Sequence, residues 1–155
     1  MYVKDALIDL EDTLSNDFIQ SQDSINFCWE IPGLCPFGAV SFQRLLNTAI
    51  ANILSGYIGK GIMVDGDDLM VQDEFVGTDD KVRNSGKVSV SITYSKENVA
   101  LGHTGINIVA GSKAPPFAYS SNLTDAQAEE FMANVIDYFN AEVRDQFIAT
   151  TKISV

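Results

Sequence analysis

Residues 88–94 read VSVSITY, and their alternation decides the architecture. Val88, Val90, Ile92 and Tyr94 fall on one side of an extended chain, and Ser89, Ser91 and Thr93 on the other. A period of two with β-branched and aromatic residues predicts a strand. The expected arrangement has the apolar side buried and the hydroxyls facing out. Thr104–Val109 is expected to pair with it, through a connection over Ser95–His103, and Ala114-Pro115-Pro116 ends the block.

Helical patterns flank this centre. Upstream, Val3, Leu7, Leu10, Leu14 and Phe18 form one apolar stripe and predict a helix over 4–20, with acidic residues on its other faces. Residues 25–38 contain Pro32-Gly33 and Pro36, which predicts a short extended piece followed by a turn. Phe42, Leu45, Leu46, Ala49, Ile50, Ile53 and Leu54 mark a second helix over 39–55, with Gly56 placed as its cap. Ile58–Val64 and Leu69–Val76 read as short strands. Downstream, Thr124 with Gln127 is a capping-box start for a helix over 125–145, carried by Phe131, Val135, Ile136, Phe139 and Val143. Residues 147–155 read as a closing strand. Helices before and after a run of strands give one α+β domain over 1–155, with a mostly antiparallel sheet packed against two or three amphipathic helices.

Composition narrows the function. The chain has 155 residues, 46% hydrophobic and 20% charged, which suits a globular domain with a real core. Its 21 acids against 10 bases give a net charge of −11. Such a surface repels phosphate, so nucleic-acid binding is not expected. No stretch is apolar enough to span a bilayer, and the opening residues lack a secretory leader pattern. The expectation is a cytoplasmic protein with no membrane partner and with both thiols reduced.

The inventory of reactive groups is small. His103 is the single histidine, and Cys28 and Cys35 are the single thiols. Gly102-His103-Thr104-Gly105-Ile106-Asn107-Ile108 resembles the G-H-x-G-I segment of NlpC/P60-type cysteine peptidases of cell-wall metabolism. That resemblance implies a thiol activated by His103, with Asn122 or Asn107 as the orienting third residue. Pro32 follows Cys28 too closely for a helix to start at that thiol; Cys35 can cap a helix whose first residue is Pro36, with Gly38 weakening that first turn. Both cysteines, Trp29 and Phe27 also fit as packed apolar residues.

Asp65-Gly66-Asp67-Asp68 fails the calcium-loop pattern, because Leu69 and Met70 stand where an oxygen ligand and a glycine are required. No metal and no cofactor is expected. Asn122-Leu123-Thr124 matches a glycosylation acceptor but has no secretory context. Gly77–Gly86 is polar, mixed in charge and glycine-bounded. It predicts an exposed arm in which Gly77, Asp79, Asp80, Lys81 and Arg83, with Lys87 beside them, would contact a neighbouring subunit.

The order of elements resembles the small neck or tail-joining virion subunits of tailed bacteriophages. That resemblance implies a ring-forming structural protein, found in the virion once assembled. The leading expectation is therefore a non-enzymatic assembly protein whose partners are further copies of itself and neighbouring assembly proteins. A cysteine hydrolase using Cys28 or Cys35 with His103 is the alternative, and an acidic inhibitor or immunity protein a further one.

Overall fold

The computed structural model describes residues 2–3 and 19–152. The chain is α+β: strands β1 (Tyr2–Val3), β2 (Ile19–Gln20) and β3 (Asp23–Pro32) precede helix α1 (Pro36–Ile58). Then come β4 (Gly61–Asp65), β5 (Asp68–Gln72), β6 (Phe75–Val76), β7 (Val82–Arg83), β8 (Gly86–Lys87), β9 (Ser89–Lys96), β10 (Val99–Val109) and α2 (Asp125–Ala149). All strand pairs among the named strands are antiparallel. The main sheet runs β3-β10-β9, and a second sheet runs β4-β5-β8.

Both helices cover one face of the main sheet. Ile25, Trp29 and Ile31 of β3 pack with Phe42, Leu46, Ile50 and Leu54 of α1 and with Phe131 and Val135 of α2. Edge-to-face aromatic pairs tie the layers together, Trp29–Phe42–Phe139 on one side and Phe27–Phe131–Tyr57 on the other. Such pairs add about 0.5–1.5 kcal/mol each beyond area burial. Gly102 lets the indole of Trp29 lie directly on the β10 backbone, since a Cβ there would sit 2.0 Å from Trp29 Cε2.

Several expectations need correction. The extended piece after residue 25 is a ten-residue strand, and the helix expected from 39 already starts at Pro36, with Cys35 as its N-cap. Proline suits that position because its missing N–H would have no helical partner there. The helix runs past Gly56 and closes on Gly59, whose φ of +65° is the left-handed cap. The expected loop 95–103 is nearly all strand, because Glu97 and Asn98 (φ +52° and +63°) turn the chain in two residues. Phe147–Ala149 continue α2 and Thr150–Lys152 form a turn, so no strand begins at 147, while 153–155 lie outside the described residues. Most of the helix expected over 4–20 also lies outside them, and Ile19–Gln20 pair with Tyr2–Val3 as a strand. The capping box at Thr124 and Gln127 forms as read.

The largest correction concerns β9, which is turned the other way. Ser89 is buried, and Ser91 bonds inward to Gln43 of α1 (2.8 Å) and Thr104 of β10 (3.0 Å). Thr104 donates to Asn47 Oδ1 at 3.2 Å, and Asn47 Nδ2 donates to the carbonyl of Asp67 at 2.8 Å. The hydroxyls thus serve a polar network in the core. Val90, Ile92 and Tyr94 lie on the face away from the helices, where Tyr94 is 54% exposed.

Candidate functional site

The outer face of the main sheet brings the reactive groups together. In the β3–β10 register His103 stands directly opposite Cys28, and on its other side opposite Ile92. Directly opposed residues of an antiparallel pair share a face, with Cβ atoms about 4.5–5.5 Å apart. The thiol is exposed, and the imidazole is half-buried.

Asn26, two residues before Cys28 on the same face, takes the hydrogen bond of the ring: Nε2 of His103 is 2.9 Å from Asn26 Oδ1. The amide is itself oriented. Asn26 Nδ2 donates to Ser24 Oγ at 3.0 Å, with the Ser24 carbonyl at 3.4 Å. With the NH2 group engaged by Ser24, the amide oxygen faces the ring, so Nε2 carries the proton and Nδ1 holds the lone pair. Burial also holds the His103 pKa below its usual 6.5, which keeps the imidazole neutral near pH 7. Gly105 makes room for this arrangement. A Cβ there would come within 3.1 Å of both Asn26 Oδ1 and Val90 Cγ1 and within 3.8 Å of His103 Cε1. A neutral imidazole with Nε2 tied, on the strand position opposite an exposed thiol, can act as a base toward that thiol.

Of the residues singled out in the sequence, Cys28 and His103 therefore stand opposite one another on neighbouring strands. His103 sits in mid-strand, not in a hairpin loop. The orienting residue is Asn26, not Asn107 or Asn122. Asn107 Nδ2 points to the Tyr119 carbonyl at 3.4 Å, and Asn122 (φ +52°) bonds the Ser120 carbonyl at 3.2 Å. Cys35 is the N-cap of α1, exposed, with its side chain over Gly38. Asn26 was missed because 23–32 was not read as a strand. The signal was Ser24, Asn26 and Cys28 alternating with Ile25, Phe27 and Trp29.

The 77–86 segment folds back as the β6–β7 hairpin. Arg83 grips Asp79 with two hydrogen bonds, 2.7 and 3.0 Å, and this pairing draws the Asp79 pKa down to about 2. Lys81 lies 3.9 Å from the same carboxylate, and Lys87 pairs with Asp68 at 2.7 Å. Asp80 takes a left-handed turn position at φ +61°. Gly77 packs so closely that a Cβ would sit 2.4 Å from the Pro116 carbonyl oxygen. The basic side chains expected to reach a neighbour are thus paired within the chain.

Beside the hairpin is a cleft of about 470 Å³, lined by Asp73, Phe75, Thr78, Gly111, Tyr119 and Asn122 among others. Its carboxylate is engaged: Lys60 donates to Asp73 Oδ1 (2.9 Å) and Tyr119 to Oδ2 (2.8 Å). The Lys60 and Tyr119 bonds hold Asp73 below the usual carboxylate value, while burial, with help from Asp73, pushes Tyr119 up to about 12. Neither group is set up to titrate near neutrality. Among the described residues no group of three or more His, Cys, Asp or Glu side chains is placed to hold a metal ion, and no helix is long and apolar enough to cross a membrane.

Among the solved structures that share the fold are the following two. A protein of unknown function from Pyrococcus horikoshi is 20% identical, with a TM-score of 0.75 over 99% of this chain and 77% of that one. P. falciparum LipL1, in complex with lipoate, is 19% identical, with a TM-score of 0.52 over 84% of this chain and 35% of that one. At these identities the likeness is one of fold. No curated protein matches the chain. The family model described as a domain of unknown function, DUF366, matches residues 1–154, and the chain belongs to that family.

Proposed function

We propose that the protein is a cysteine-dependent acyl-transfer enzyme with Cys28 as nucleophile, His103 as base and Asn26 as the residue that positions the ring. The observation that carries this reading is the register that sets Cys28 opposite His103 while Asn26 holds Nε2. In the reaction the thiol proton passes to Nδ1 of His103, and sulfur adds to the carbonyl carbon of an ester or thioester. The bond to the leaving group then breaks, and the imidazolium returns its proton to that group. The acyl group, now a thioester on Cys28, passes to water or to another nucleophile, with His103 as base again. LipL1, one of the proteins of similar fold, holds a small carboxylic acid, which is in keeping with acyl chemistry.

Intact-mass analysis after exposure to p-nitrophenyl butyrate tests the reading. A single butyryl adduct on Cys28 is expected, formed at least ten times more slowly in His103→Gln, since general-base assistance contributes about 10²–10⁴-fold. Cys35→Ala should label as the wild type does. Labelling confined to Cys35, or unaffected by His103→Gln, would sink the proposal.

A structural role in an assembly is the second reading. Apolar side chains exposed on the helices support it: Phe37 is 83% exposed, and Ile136, Phe147 and Ile148 about half. The 77–86 hairpin lends it less, because its charges are satisfied internally. The native mass in solution tests this, and a monomer at all concentrations would end it.

A further inference from the structure

The outer face of the main sheet is divided by strand. β3 presents Ser24, Asn26, Cys28 and Glu30, all polar. β9 presents Val90, Ile92 and Tyr94, all apolar, and Leu101 of β10 lies opposite both Glu30 and Tyr94. His103 stands on the seam, with Cys28 on its polar side and Ile92 on its apolar side.

An apolar stripe on an open face is a departure from the usual pattern of a half-buried strand. β9 carries its hydroxyls on the other side of the alternation, and Ser89 and Ser91 are the ones turned into the core. There the Leu69 N–H bonds Ser89, and Gln43 and Thr104 satisfy Ser91. The fold thus keeps Tyr94 54% exposed and Leu101 46% exposed directly beside the thiol–imidazole pair.

We infer that this stripe binds the hydrocarbon chain of the acyl substrate, and that the substrate class is a medium-length apolar acyl ester or thioester. The inference rests on the acyl-transfer reading and deepens it. Its occupant follows from continuity with the candidate site: a carbonyl carbon at Cys28 Sγ leaves the acyl chain to run across the seam. Adjacent strands are about 4.8 Å apart, so Ile92 lies roughly 10 Å from Cys28 across β10. An acetyl group ends before the imidazole. A chain of about eight carbons, extending roughly 1.25 Å per methylene from standard bond geometry, reaches the β9 stripe.

The experiment compares p-nitrophenyl acetate with p-nitrophenyl octanoate on the full chain, reading the rate of adduct formation on Cys28 by intact mass. Each rate is divided by that of the same ester with free cysteine, which removes intrinsic reactivity. The octanoyl ester is expected to label on the order of tenfold faster or more, from partial burial of the additional methylenes. In the Leu101→Ser/Tyr94→Ser double variant, and to a lesser degree in Tyr94→Ser alone, the ratio of octanoyl to acetyl labelling should fall toward one. Equal labelling by the two esters, or a ratio unchanged in both variants, overturns the acyl-chain inference while the Cys28 chemistry stands. No adduct on Cys28 from either ester overturns the acyl-transfer reading, and this inference with it.

Discussion

The two faces of β10 treat polar groups in opposite ways. On the helix side, Thr104 is fully buried, and its hydroxyl joins Ser91, Gln43 and Asn47 in a chain that ends on the Asp67 backbone. Every link has a partner, as a buried polar network requires. On the open side, one residue away, His103 uses one ring nitrogen and keeps the other. A satisfied network fixes α1 over the sheet, whereas an imidazole with spare capacity is what a reaction needs. The inner face specifies position, and the outer face retains chemical capacity.

Two glycines on this strand allow the comparison to be broken. Gly102→Ala places a Cβ 2.0 Å from the Trp29 ring, wedging apart a packed indole and a strand backbone. Overpacking of this kind is expected to cost about 3 kcal/mol in urea unfolding, the largest effect foreseen. A loss below about 1 kcal/mol would mean that the inner face is looser than its burial implies. Asn47→Leu removes two hydrogen bonds, taking the Asn47 donor from the Asp67 carbonyl and leaving the Thr104 hydroxyl with Ser91 alone. It should cost about 2 kcal/mol by the same measurement.

Gly105→Ala, on the open face, meets the amide end of Asn26 and a methyl of Val90 at 3.1 Å, groups that can give way. Its expected stability cost is under about 1 kcal/mol. Its functional cost should be larger, because Asn26 gives way at the expense of its bond to His103. Slower labelling of Cys28 with nearly normal unfolding is the result that would sharpen the contrast between the faces.

The smallest effect is electrostatic. The folded-state pKa of His103 lies below the usual 6.5, so between the two values the unfolded chain binds the proton that the native chain refuses. The stability contribution is complete above pH 6.5, declines as pH falls below it, and levels off beneath the folded pKa. NMR titration of the ring should give that low value, and His103→Gln should remove this part of the slope. The paired carboxylates act in a separate window. What Asp73 and Asp79 contribute is present above their ordinary 3.8 and is lost as pH falls toward their depressed folded values, about 2 for Asp79.

Much of the frame is legible in the chain. The stripe from Phe42 to Leu54 identifies α1, and Thr124 with Gln127 starts α2 where its side chains cap it. The alternation over 88–94 marks β9. Boundaries were harder, because Pro36 and Gly56 act by position: proline is harmless at a helix start, and glycine is tolerated inside a helix held by tertiary packing. The site was only half legible. His103 and the two cysteines stood out by scarcity, while Asn26 looked like any polar residue until its strand was known.

What the sequence by itself determined was the class of fold, the periodicity of its elements and the short inventory of reactive groups. The tertiary structure alone decided which side of β9 faces inward, and that Cys28 rather than Cys35 stands opposite His103. The physical reason is that a period of two separates two sets of side chains without saying which set is buried. The layer packed on top decides that. Here α1 brings Gln43 and Asn47 into the core, and their amides require the hydroxyls of Ser91 and Thr104 as partners. That demand turns the serines inward and leaves the apolar stripe, the imidazole and the thiol on the open face.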